Sequence, residues 1–170
     1  MNEQIITWLL KAMLAWEPIA AKLDKEVETA RYRSIAEDAL FVAQEAKPVF
    51  RGDGGAAKRK AALLLLAIGS YESRYNPKVD NGTILGDRGH SHCLNQVLFP
   101  TKNHRFAVRD GIWVWAKPGD SDGWSGEDLT RDRKNCFRAS LAVIRVSFRV
   151  CGDLAVYTVG HCTPDEPKAK

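Results

Sequence analysis

The chain has no long apolar run. Its two richest stretches, Ile5 to Trp16 and Ala61 to Tyr71, are shorter than the roughly 20 residues a helix needs to cross a bilayer, and charge interrupts or flanks both. Stable membrane insertion is therefore not expected. A secretory leader is not expected either, because Glu3 stands where a positive segment should be and no small-residue cleavage site follows. Internal repeats, low-complexity tracts and Ser/Gly-rich linkers are missing as well, which argues against solenoids and beads on a flexible string. The basic residues form no stripe. A net charge of +4 suits an anionic polymer, but Lys and Arg spread along the chain do not predict a nucleic-acid groove.

Cysteine is sparse. Cys93, Cys136, Cys151 and Cys162 allow three pairings. Cys93 could bridge Cys136, and Cys151 could bridge Cys162; four buried reduced thiols are the alternative. A chain of 170 residues is long enough to bury a core without such staples, as one domain or one domain with a helical extension.

Apolar positions recur at helical spacing from Glu3 to Trp16, with Ile5, Leu9 and Met13 in one row and Ile6, Leu10 and Leu14 in the next. Pro18 breaks this helix or starts another, which the pattern Leu23, Val27, Ala30, Ile35, Ala39, Ala43 carries to Lys47-Pro48. Residues 1–50 thus form an N-terminal helical extension, and residues 51–170 hold the remaining domain. After a glycine loop at 51–55, a helix is expected from Ala56 to Ser73. Its centre is apolar nearly all round, so it should be the central buried helix.

Asn81-Gly82 between short β-compatible runs predicts a hairpin over Lys78–Leu85. A Gly- and His-rich loop follows to His92, and a second hairpin is expected to turn at Arg109-Asp110-Gly111. Ser125, with Glu127 and Asp128 behind it, predicts a helix start, and that helix should run to Arg149. Gly152 separates it from a short helix at Leu154–Val159. The expected fold is mainly α (α+β): helices about a central buried helix, with a small β-rich lobe at 78–117.

Glu72 is the most informative residue. It follows Ile68 by four residues, Leu65 by seven and Leu64 by eight, so it shares the most apolar face of the central helix. Partial desolvation there, and the negative end of the helix dipole, both favour the protonated form. A carboxylic acid that keeps its proton near neutral pH is what cleavage of a glycosidic bond requires.

The segment Ile68-Gly69-Ser70-Tyr71-Glu72-Ser73-Arg74-Tyr75-Asn76-Pro77 resembles the catalytic motif of the soluble lytic transglycosylase family, in the lysozyme-like superfamily. There a central helix ends in Glu-Ser, followed by aromatic-Asn-Pro. Cys93-Leu94-Asn95-Gln96-Val97 is similar to the family's Gly-Leu-Met-Gln-Ile segment and keeps Leu and Gln. Val156-Tyr157-Thr158-Val159-Gly160 is similar to its Ala-Tyr-Asn-Ala-Gly, with Thr in place of Asn. Asp128-Leu129 and Asn135 match a further Asp-Leu…Asn-Ile stretch. The likeness spans roughly residues 56–162 and leaves the first fifty uncovered.

The resemblance implies a lysozyme-like fold and cleavage of peptidoglycan between N-acetylmuramic acid and N-acetylglucosamine, without a cofactor or metal. It makes Glu72 the general acid and then the base that closes a 1,6-anhydromuramic ring. Ser73 would shape the site, Gln96 would bond substrate, and Tyr157 would hold the Glu72 carboxyl or a sugar. Asp80 and Asp87 are candidate second carboxylates for a hydrolytic, lysozyme-type alternative. Their other role is turn chemistry. Substrate in the wall (periplasm), with no leader expected, implies delivery by a phage particle or a holin, with virion components as candidate partners.

Trp113 and Trp115 share a face of the second hairpin, and Trp124 follows; they could line a sugar cleft, although core packing is the commoner role. His90, His92 and Cys93, with His161-Cys162, fit no standard zinc spacing. A zinc-dependent protein is one alternative. A wall-binding or virion structural protein without activity is another.

Overall fold

The computed structural model describes residues 2–51, 54–100, 104–117, 119–155 and 157. They are mostly helical, with two small two-stranded antiparallel sheets, which is a mainly α, α+β architecture. Helix α1 (Asn2–Trp16) buries Leu9 and Met13, two members of the Ile5, Leu9, Met13 row. Helix α2 spans Lys25–Glu45. Asp24 caps it by accepting from the amides of Glu26 and Val27, so the chain after Pro18 stays non-helical as far as that cap. Leu23 and Val27, part of the expected apolar pattern, are exposed; the buried apolar residues of α2 begin at Tyr32.

Helix α3 (Gly54–Ser73) packs against α1, α2 and α6 (Arg133–Val150). One buried cluster joins Leu9 and Met13 of α1, Ile35 and Ala39 of α2, Leu65 and Leu66 of α3, and Leu141 and Ile144 of α6. The first fifty residues therefore contribute to the same core as the central helix. Alanines on α2 and α3 (Ala36, Ala39, Ala61, Ala62) are fully or almost fully buried, which lets two helix backbones approach closely.

The hairpin expected over Lys78–Leu85 does not form. Pro77 takes the first position of a single helical turn, α4 (Pro77–Asp80), and the Asn76 side chain accepts from Lys78 N at 2.9 Å. Proline at the first helical position behind an Asn cap outweighs the Asn-Gly signal. Gly82 then sits past the end of α4 at φ +75°, where a Cβ would press on Thr130. The real first hairpin lies further on, with β1 (Ser91–His92) paired to β2 (Val97–Leu98).

The second hairpin forms where expected. Strands β3 (Phe106–Arg109) and β4 (Ile112–Trp115) join through Asp110-Gly111, both at positive φ (53° and 77°), the conformation a tight two-residue turn demands. Ser125 caps α5 (Gly126–Arg131) in a reciprocal box with Asp128. The helix expected to run unbroken from there is two helices: Asp132 is extended at φ −129° and its side chain caps Lys134 at the start of α6. Beyond Gly152, the expected helix at 154–159 lies largely outside the described residues. No helix among the described residues is long and apolar enough to cross a membrane.

Candidate active site

Glu72 lies in the last turn of α3, half-buried. Its carboxyl is pushed above the ordinary carboxylate range, first by burial and second by the negative charge of Asp87. The chain leaves the helix abruptly. Arg74 and Tyr75 both take left-handed backbone (φ 51° and 50°), and Tyr75 turns back to bury its ring under α3, donating its hydroxyl to Leu66 O at 2.7 Å. Arg31 of α2 donates to Tyr75 O at 2.7 Å and so ties the N-terminal helices to this turn.

Gly69 makes that reversal possible. A Cβ there would stand 3.1 Å from Asn95 Oδ1 and 3.2 Å from Tyr75 Cε1. Asn95 is fully buried in the turn of the first hairpin, and its side-chain amide donates to Leu65 O at 3.2 Å. Asn95 O accepts the hydroxyl proton of Tyr157. An Asn where the resembled motif has an apolar residue is thus a clamp between α3, the β1–β2 turn and the C-terminal segment.

The expected site residues meet unevenly. The Ser73 hydroxyl donates to Gly69 O at 2.8 Å, within its own helix. Gln96, at φ 50°, donates to Cys93 O at 3.0 Å across the hairpin turn, and its Oε1 lies so close over Gly86 that any side chain there would collide. The Tyr157 phenol bonds Asn95 O; among the described residues no hydrogen bond joins it to Glu72. Its pKa is raised, by burial first, with the Glu72 charge adding to the rise. Val156, Thr158, Val159 and Gly160 of the third motif lie outside the described residues.

The two candidate second carboxylates part ways. Asp80, 11% exposed, receives both arms of Arg133 at 2.8 and 3.0 Å and faces Arg31 at 3.7 Å. It forms an ion-pair hub between α2, α4 and α6. Asp87 is the acid that acts on Glu72. It stands at φ 45° next to Arg88 at φ 58°, and accepts a hydrogen bond from the Ser91 hydroxyl. Of the seven non-glycine residues at positive φ among the described residues, six lie from Arg74 to Gln96. Such backbone is costly and concentrates at functional sites.

A disulfide between Cys93 and Cys136 pins the first hairpin to α6, with Cα atoms 6.0 Å apart. Cys151 is disulfide-bonded as well, and Cys162 lies outside the described residues. Pairing removes Cys93 from any zinc cluster. His90 spends Nδ1 on Phe99 O at 3.1 Å, and His92 packs its ring on Gly126, where burial holds its pKa low. No group of three or more His, Cys, Asp or Glu that could hold a metal occurs among the described residues; His161 is outside them. Trp113 stacks on Phe106 (4.9 Å, 5°) and leans toward Trp124, while Trp115, 51% exposed, covers the other side of Phe106. Trp113 and Trp124 pack on the core; Trp115 alone of the three keeps a large open face.

A half-buried acid with a raised pKa, a second acid acting on it and a strained, clamped loop around both is an arrangement able to donate a proton to a bound substrate. No family model matches the chain, and no curated protein or solved structure matches it.

Proposed function

We propose that this chain cleaves the β-1,4 bond between N-acetylmuramic acid and N-acetylglucosamine in peptidoglycan, as a lytic transglycosylase with a lysozyme-like fold. The observation that carries this is the protonation bias of Glu72 at the end of the central helix. It supports the motif resemblance on physical grounds that the resemblance does not supply. Glu72 protonates the leaving glycosidic oxygen as the C1–O bond breaks. The resulting carboxylate takes the proton from the muramoyl O6 hydroxyl, whose oxygen bonds C1 and closes the anhydro ring. No water is consumed. Disulfide-bonded cysteines are in keeping with work in an oxidising, extracytoplasmic compartment.

A second reading, hydrolysis with a lysozyme-type outcome, is favoured by Asp87, the acid whose charge acts on Glu72. Digestion of purified peptidoglycan by wild type and by Glu72→Gln, with products read by mass spectrometry, separates the two. Anhydro-muropeptides that fall by about 100-fold or more in the variant are expected. Reducing-end products, also lost in the variant, transfer the assignment to hydrolysis. Equal activity of the variant, or none in the wild type, removes Glu72 from catalysis.

A further inference from the structure

A cavity of about 220 Å³ opens where the end of α2, the tip of the β3–β4 hairpin and α6 meet. None of its residues belongs to the Glu72 site. Its floor is apolar: Val42, Ala46, Val108 and Leu141. Its rim is basic. Arg138, Arg145 and Lys47 line it, with Glu45 as the one acidic lining residue. Arg138 pairs with that carboxylate at 3.0 Å. Lys47 reaches only the distant, exposed Asp110, at 3.9 Å.

Arg145 is the unusual member. It is half-buried, and its guanidinium donates to two backbone carbonyls, Gly111 O and Lys47 O. Among the described residues it has no carboxylate partner. Burial alone acts on its pKa, downward, with no acid to offset it. A guanidinium carries five N–H donors and is at its strongest against a planar or tetrahedral oxyanion, so two carbonyl bonds leave both charge and donors unused. Taking a cation out of water without a counter-charge is costly, and a bound anion removes that cost.

We infer that this cavity binds an oxyanion, a phosphate or a carboxylate, carried on a small apolar group that rests on the Val42–Leu141 floor. The rim supplies the charge and the guanidinium forks, and the floor supplies the apolar contact. Occupancy would also fasten the β3–β4 tip to the helical body, because Arg145 already bridges Gly111 and Lys47. The inference is independent of the chemistry at Glu72.

The test is a titration of the purified chain with inorganic phosphate, acetate and butyrate at constant ionic strength, balanced with sodium chloride, following the arginine side-chain N–H resonances by NMR. Saturable shifts at Arg138 and Arg145 are expected. Arg145→Met also loosens the hairpin tip, so Arg138→Met, which leaves both Arg145 bonds in place, is run beside it. Each should weaken binding by about tenfold or more, the value of one charge-assisted bond. Phosphate ahead of both carboxylates assigns the site to phosphate. Butyrate ahead of phosphate and acetate assigns it to a carboxylate on an apolar stem. Shifts that follow ionic strength without saturating, or equal affinity in both variants, overturn the inference.

Discussion

The helical body around α3 and the stretch from Arg74 to Gln96 are held by different forces. In the body, Leu9, Ile35, Leu65, Leu66 and Ile144 are wholly buried, and the helices follow the periodicity of the sequence. Apolar burial is non-directional, so many sequences of similar pattern would pack this way. The Arg74–Gln96 stretch has little regular structure. It depends on single bonds (Tyr75 to Leu66, Asn95 to Leu65, Ser91 to Asp87) and on one disulfide, and it tolerates six left-handed non-glycine residues. Its geometry is specified rather than merely compacted, and it adjoins Glu72, the one carboxyl among the described residues whose pKa is raised.

That contrast can be broken experimentally. The largest stability effect is expected from Cys93→Ser with Cys136→Ser. Loss of a cross-link 43 residues apart costs about 4 kcal/mol by the chain-entropy argument. Leu66→Ala in the body should cost a comparable amount, about 2–5 kcal/mol. The two should differ in kind. Below their unfolding transitions, amide shifts over 87–97 should move in the cysteine variant and stay put in Leu66→Ala. Identical shift maps would show that the hairpin needs no pin of its own.

Gly69→Ala comes next. It drives a methyl against Asn95 and Tyr75, and about 1–3 kcal/mol should be lost in urea denaturation. A neutral result would mean that the clamp yields freely.

Glu72→Gln tests the desolvation directly. Because the folded pKa is raised, the native chain retains a proton that the unfolded chain releases. The wild type therefore loses stability as pH rises from the ordinary carboxyl pKa through the folded pKa. The variant lacks that loss. It should be the more stable protein at neutral pH, and the gap should close near about pH 4. A gap independent of pH would contradict a raised pKa.

The smallest effect is electrostatic. Asp87→Asn removes the second cause of the Glu72 shift and leaves the first, so a carbon-detected titration of the Glu72 carboxyl should move modestly downward. The high-pH limb of the proposed glycan cleavage should move with it. An upward move would mean that Asp87 acts otherwise than through its charge.

Much of the body was legible in the chain. The end of α3 at Ser73, the Ser125 cap and the turn at Asp110-Gly111 were each readable from residues within a few positions of one another. The misreadings are also local in origin. At 78–85 an Asn-Gly signal competed with Asn76-Pro77 and lost, since a capped proline start forms its hydrogen bond within three residues. Two-residue strands such as β1 and β2 are too short to show a period. The break at Asp132 is one residue wide, and its cap on Lys134 is visible only once the helix stops.

By itself, the sequence determined where the central helix lies and that Glu72 shares its apolar face, because helical spacing dictates which residues are neighbours along one element. Tertiary structure alone decided which partners those residues meet. It paired Asp80 with Arg133, 53 residues away, brought Asp87 to act on Glu72, joined Cys93 to Cys136, and left Arg145 without a carboxylate among the described residues. Charge pairing, desolvation and disulfide closure act through space, and the distance between two residues in space is not written in their separation along the chain.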